Sequence, residues 1–335
     1  MQPTMGQVHK DSMLTEVAIG YHNQMFVADK VFPHVTVKKQ SDYYFKFLKG
    51  AWFRNEAEIR GPGAKAARGG YPTTTGTYSC QERAFAHPVP IELINNADPP
   101  VRPFETGVRF ASQKVMLAKE VAVAGLCTTA ANWTTTDDVA AAWVATVDGT
   151  GNTFIADILS QKETIRQLIG VYPNRLVMDA KTFKNVKQEY TVLERIKYTG
   201  TSGKPADVTT QTLAQLFELD MVLIGGAIYS SAEEVVAGTD FTAVDLWETN
   251  ATKGAAFLYY APPAPALDEP AAGYTFQWPG SESPTDAQIE ADLYRDVRYW
   301  WESDTKSYIV EASENFDAEA TSADAGCLFY DTIVT

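Results

Sequence analysis

Residues 174–229 read NRLVMDAKTFKNVKQEYTVLERIKYTGTSGKPADVTTQTLAQLFELDMVLIGGAIY. A short apolar strand, NRLVMD, leads into a surface helix at about Ala180 to Glu189. A break rich in Gly, Ser, Pro and Asp follows. After it come a helix over Thr209 to Leu219 and a second apolar strand, MVLIG. The run contains no catalytic motif. Spending the clearest segment on packing points to a protein that works by building something.

Upstream, Phe154 to Ile169 is an amphipathic helix whose core face is Ile155, Ile158, Leu159, Ile165, Leu168 and Ile169, with Gly170 as C-cap. Residues 132–152 read as a connection. Pro103 to about Ala131 predicts one long helix, with Pro103 suited to a first turn. Phe104, Val108, Ala111 and Val115 form one apolar stripe, and Leu117, Val121 and Ala124 a second. Downstream, AAFLYYAP is a strand stopped by Pro262 and Pro263, and the chain from Tyr274 is β-rich: YTFQW, VRYWWES, KSYIVEASENF and GCLFYDTIV.

Residues 36–90 differ from everything after them. TVKKQSDYYFKFLKG alternates as a strand, with Tyr44, Lys46 and Leu48 on one face and Tyr43, Phe45 and Phe47 on the other. A Gly/Ala/Pro tip, IRGPGAKAARGGYPTT, and a return strand, GTYSCQERAFAHPVPIEL, complete a long two-stranded excursion. An isolated hairpin is marginal in water and needs a surface to rest on. Residues 1–35 form an extended or part-helical arm, too short for its own core and expected to lie on something else, such as a neighbouring chain.

The 335 residues carry a formal net charge of −14. That disfavours general nucleic-acid binding, which needs Lys and Arg to displace counterions, but it does not prevent the chain from enclosing nucleic acid. The charge is divided unevenly. Residues 36–80 hold eight Lys/Arg (Lys38, Lys39, Lys46, Lys49, Arg54, Arg60, Lys65, Arg68) against three acids, a net of +5, whereas residues 268–335 hold fifteen Asp/Glu against three bases, a net of −12. With 45% hydrophobic residues the chain can bury a sizeable core. The start lacks the apolar stretch of a signal peptide, and no window approaches ~20 continuous apolar residues. A cytoplasmic, membrane-free setting is expected. Cys80, Cys127 and Cys327 are too widely spaced for a metal or redox motif and read as reduced, buried thiols.

Motifs that would carry chemistry are scarce. His9, His22, His34 and His87 all lie in the arm or the excursion and make no metal-spacing pair. GPGAKAARGG lacks the Gly-Lys-Ser/Thr ending of a phosphate loop. No G-x-S-x-G is present, and the C-terminal carboxylates read as a solvated acidic face. Tyr299, Trp300 and Trp301 read as packing at a core or subunit interface, with a ligand-stacking platform as the other possibility. No enzyme, metal or cofactor is expected.

The order of parts resembles the major capsid proteins of tailed bacteriophages, the HK97-like (Hong Kong 97 type) α+β fold. The resemblance is carried by NRLVMDAKTFKNVKQEYTVLERIKYTG, LAQLFELDMVLIGGAIYSSAEE, AFLYYAPPAPALDEPAAGYTFQW and ADAGCLFYDTIV, in that order and spacing. It implies an N-terminal arm (1–35), an extended loop lying across an adjacent subunit (36–90), and a peripheral domain with the long spine helix (91–151). An axial domain (152–265) follows, and C-terminal strands (266–335) complete the peripheral domain. It further implies pentamers and hexamers in an icosahedral shell around double-stranded DNA, assembled in a host cytoplasm, with portal, scaffolding and decoration proteins as partners. No coiled-coil segment separates the start from the loop, which favours a separate scaffold. Some relatives cross-link a loop lysine to a neighbour's asparagine; Lys65 sits at the tip, but no partner residue is identifiable. The alternative within the same architecture is an encapsulin-like nanocompartment shell; the alternative from another class is an uncharacterised enzyme, which no motif supports. Candidate inter-subunit residues are Lys46, Lys49, Trp52, Phe53, Arg54, Arg60, Lys65 and Arg68, a basic loop expected to clasp the acidic C-terminal surface of a neighbour, with Tyr43, Tyr44, Phe45, Phe47, Trp52 and Phe53 adding aromatic burial.

Overall fold

The structure is a computed structural model that describes residues 23, 25–97, 101–140, 143–144, 146, 148–197, 208–232, 241–250, 253–265, 269–279 and 295–333. In chain order the elements begin with α1 (Ala28–Val31), β1 (His34–Thr36), β2 (Ser41–Phe47), α2 (Lys49–Trp52), β3 (Thr73–Ser79), β4 (Gln81–Pro90) and α3 (Ile91–Asn95). Next come α4 (Pro103–Thr128), β5 (Thr135–Asp138), α5 (Phe154–Ile169), β6 (Arg175–Asp179), α6 (Ala180–Gln188), α7 (Tyr190–Lys197), α8 (Thr210–Phe217) and β7 (Met221–Gly225). Strands β8 (Ile228–Ser230), β9 (Ala243–Asp245), β10 (Glu248–Asn250), β11 (Lys253–Tyr259), β12 (Gly273–Gln277), β13 (Arg295–Glu302), β14 (Ser307–Ala320) and β15 (Gly326–Tyr330) follow.

Two sheets organise the molecule. One runs β1-β12-β14-β13, with β4 on the other side of β14; the second runs β5-β15-β11-β6-β7, with β10 on β11. The spine helix α4 lies across β4 and β14, burying Ala111 and Val115 against Ala312. Its close approach is possible because Gly107 has no Cβ: one there would stand 2.9 Å from Val89 Cγ2.

The second sheet holds most of the core. Strands β6, β11 and β15 bury nearly every residue, as expected of strands covered on both faces. Helix starts are fixed by side chains. Asp179 accepts from Thr182 N at the head of α6, and Thr209 and Thr212 form a reciprocal capping box on α8. Gly170 adopts φ 80 as the left-handed C-cap of α5.

Several expectations are corrected. The described part of the arm does not await a neighbour: Val27, Ala28, Val31 and Phe32 are buried in the chain's own core. Residues 1–22 lie outside the described residues. The excursion is shorter than 36–90, because the β2–β3 pairing spans Ser41 to Ser79 and β4 instead pairs with β14 over ten residues. The second stripe on the spine helix is also different. Val121 is exposed, and the buried positions are Lys119, Glu120, Val123, Ala124 and Cys127. Leu159 on α5 is exposed, and Lys162 takes a core position. Residues 132–152 are more than a connection: β5 pairs with β15, and Trp133, Val139 and Trp143 are core residues. Helix α7 continues the chain after α6, where none was expected. Finally, the terminal strand β15 does not join β12, β13 and β14 but enters the second sheet beside β11.

Candidate assembly surface

The hairpin β2–β3 has one face turned toward its own chain and one turned outward. On the inner face Tyr44 packs 5.4 Å from Phe276, centroid to centroid. Burial pushes the Tyr44 phenol up to about 12, with Glu319 and Asp317 adding their negative charge. Ser79 N donates to Asp317 Oδ2 at 2.7 Å. The base of the hairpin is thus anchored to the acidic strand β14 of the same subunit. On the outer face Tyr43 and Phe45 are 68% and 72% exposed, and aromatic rings are enriched at protein interfaces relative to the rest of the surface.

The expected inter-subunit residues separate into groups. Lys46 lies over its own Tyr44 ring, 5.3 Å from the centroid. Lys49 forms an ion pair with Asp324 of its own chain, and Phe53 covers Gly170. Trp52 makes an exposed triad with Phe47 (6.0 Å) and Tyr71 (5.8 Å). Arg54 pairs locally with Glu56 at 3.0 Å, whereas Arg60, Lys65 and Arg68 project from an exposed tip. The structure therefore gathers these residues on one excursion but does not direct them all outward.

The acidic C-terminal segment is likewise partly used within the subunit. Glu314 is buried against Lys119 at 2.5 Å, and Asp331 pairs with Lys253. The outer edge of the first sheet is β13, where Val297, Tyr299, Trp300 and Trp301 are all exposed. Tyr299 meets Phe104 at 5.5 Å, and Trp301 meets Tyr308 at 5.0 Å, so this aromatic edge is partly braced by the start of the spine helix and by β14.

Two residues that sequence reasoning missed hold the parts together. Glu120, fully buried, accepts from Val27 N (3.0 Å), Ala28 N (2.7 Å) and Trp247 Nε1 (2.7 Å). It joins the arm, the spine helix and the second sheet, and burial raises its pKa against those three hydrogen bonds. Lys119 beside it bridges Asp29 (2.6 Å) and Glu314 (2.5 Å). The signal was present: 111, 115, 119 and 123 fall on one helical stripe, and so do 120, 124 and 127.

Among the described residues no group of three or more His, Cys, Asp or Glu could hold a metal ion, and no helix is long and apolar enough to cross a membrane. The three cysteines are buried and form no disulfide; burial pushes the Cys80 thiol up to about 12 and raises those of Cys127 and Cys327 as well, which suppresses thiolate chemistry. His34 Nε2 lies 3.0 Å from Asp29 O, and His87 packs on Phe110; His9 and His22 lie outside the described residues.

No protein-family model matches the chain. The major capsid protein of Burkholderia phage BcepMu is 26% identical over 97% of this chain and 98% of its own. That of Pseudomonas phage JBD67 is 24% identical over 80% of this chain and 82% of its own. Among solved structures, a phage-related protein from Bordetella bronchiseptica RB50 superposes with TM-score 0.65 at 24% identity, covering 97% and 98% of the two chains. The capsid of Cyanophage P-SCSP1u superposes with TM-score 0.60 at 11% identity, covering 98% and 95%. The fold is the HK97-like capsid fold. Within it, the chain is a relative of the phage major capsid proteins.

Proposed function

We infer that this chain is the structural subunit of a phage capsid shell. The observation that carries this is the concentration of exposed aromatic and basic side chains on a projecting hairpin, in a subunit whose core is otherwise closed. The full-length relationship to proteins named major capsid proteins supports the same reading. Self-association into pentamers and hexamers closes an icosahedral shell around double-stranded DNA. Assembly takes place in the host cytoplasm, with portal, scaffolding and decoration proteins as partners.

The hairpin residues Lys46, Lys49, Trp52, Phe53, Arg54, Arg60, Lys65 and Arg68 are the inter-subunit set in this reading. Exposed ion pairs contribute only ~0–1 kcal/mol each and are screened beyond ~8 Å at physiological salt. Charge therefore guides the register, and the Phe47–Trp52–Tyr71 triad with Tyr43 and Phe45 supplies most of the strength. Many weak copies sum to a stable shell whose individual contacts remain reversible.

Expression followed by sedimentation and negative-stain microscopy tests the reading. Closed shells or capsomer rings are expected, with nuclease-protected DNA in particles from infected cells; a stable monomer sinks the proposal. Protein cargo in place of DNA favours the nanocompartment alternative. Reversing Lys46, Lys49, Arg54 and Arg60 to Glu should lower particle yield and salt tolerance, and unchanged values sink the charge guidance.

A further inference from the structure

The one-turn helix α2 and its C-terminal capping residue present Lys49 and, four positions on, Phe53. Both are occupied within the chain. Lys49 pairs with Asp324, and the Phe53 ring lies on bare Gly170, where a Cβ would stand 2.9 Å from Cζ. Asp324 belongs to the 323–325 turn and Gly170 ends α5, and these two elements pack against each other. They form one small seat. Trp52 is not part of it, being engaged with Phe47 and Tyr71. The remainder of the hairpin, residues 54–72, is exposed.

We propose that the free subunit parks its hairpin on this seat of its own chain, and that shell assembly requires the hairpin to leave it. The proposal rests on the shell reading above. Two residues that a loop crossing to a neighbour would need are held at home, which masks part of the assembly surface until neighbours compete for it. The seat is weak by construction. Lys49 is half exposed and Phe53 is 63% exposed, and an ion pair of that kind shifts an equilibrium by about five-fold at most. It delays premature association and does not forbid assembly. Gly170 suits a temporary occupant, since its bare surface accepts the ring without rearrangement.

The test locks the seat in unassembled subunits at low concentration. The Lys49→Cys/Asp324→Cys variant is treated with a short bismaleimide carrying a reducible spacer; the native thiols are buried. The expected result is an intrachain link, no particles from the locked subunit, and recovery of particles on reduction. Absence of an intrachain link, or assembly of locked subunits at the unlocked rate, overturns the proposal. If the double variant fails to fold, Asp324→Lys serves instead: its assembly lag should shorten about five-fold, and Lys49→Asp/Asp324→Lys should restore it. An unchanged lag contradicts the parked state. If wild-type chain builds no particles at all, it is the shell reading that has failed.

Discussion

The spine helix and the hairpin use the same residue types in opposite ways. On the spine helix, Lys119 and Glu120 are buried and every charge has partners: Asp29 and Glu314 for the lysine, two arm amides and Trp247 for the glutamate. On the hairpin, Arg60, Lys65 and Arg68 are exposed at the tip, and Trp52 and Phe45 face solvent. Buried charges with satisfied hydrogen bonds fix one arrangement, because leaving any member unpaired is costly. Exposed charges and rings fix nothing in the subunit and are available to another molecule. The contrast separates what makes the subunit from what the subunit leaves exposed for contacts with other molecules.

The largest test of that division is Glu120→Ala. It strands three donors in the core and should destabilise the unassembled subunit by about 3–4 kcal/mol in urea unfolding. A loss below about 1 kcal/mol would mean the seam is not structural. Second is pH. Burial, opposed by its hydrogen bonds to Thr182, raises the Asp179 carboxyl to about 6. One carboxylate oxygen of Asp179 has no partner, and Gly254 leaves room for it beside Thr182 and Thr332. The folded state therefore holds this proton more tightly than the unfolded chain. Its contribution is most favourable below pH 4 and is lost as pH rises to about 6, by about 3 kcal/mol. Asp179→Asn keeps a capping oxygen and should flatten that part of the pH–stability profile; an unaltered slope contradicts the assignment. The smallest effect on the subunit belongs to the hairpin. Trp52→Ala with Tyr71→Ala should change subunit stability by less than about 1 kcal/mol while sharply lowering particle yield, and the reverse pattern would show that the triad serves folding.

The same contrast explains what the sequence revealed. Helix α5 with Gly170, the NRLVMD and MVLIG strands and the spine helix were legible because apolar periodicity and turn residues are local signals. The register of β15 beside β11, and the departure of β4 from the hairpin to β14, depend on pairing between residues far apart in the chain, which periodicity does not encode. Lys119 and Glu120 were passed over because they are charged, although their spacing put them on the core faces. At the hairpin, composition marked a basic, aromatic excursion by its +5 balance and its alternation, and the structure leaves most of it exposed. Composition did not show that Lys49 and Phe53 rest on Asp324 and Gly170 of the same chain.

In the proposed reading, the subunit folds without the outer hairpin and builds shells only with it. The direct measurement replaces residues 54–70 by a short Gly-containing turn and compares this variant with wild type by unfolding, sedimentation and negative-stain microscopy. The expected outcome is a folded variant of near wild-type stability that sediments as small species, beside wild-type chain that forms closed shells. Shells of normal size and yield from the shortened chain would contradict it.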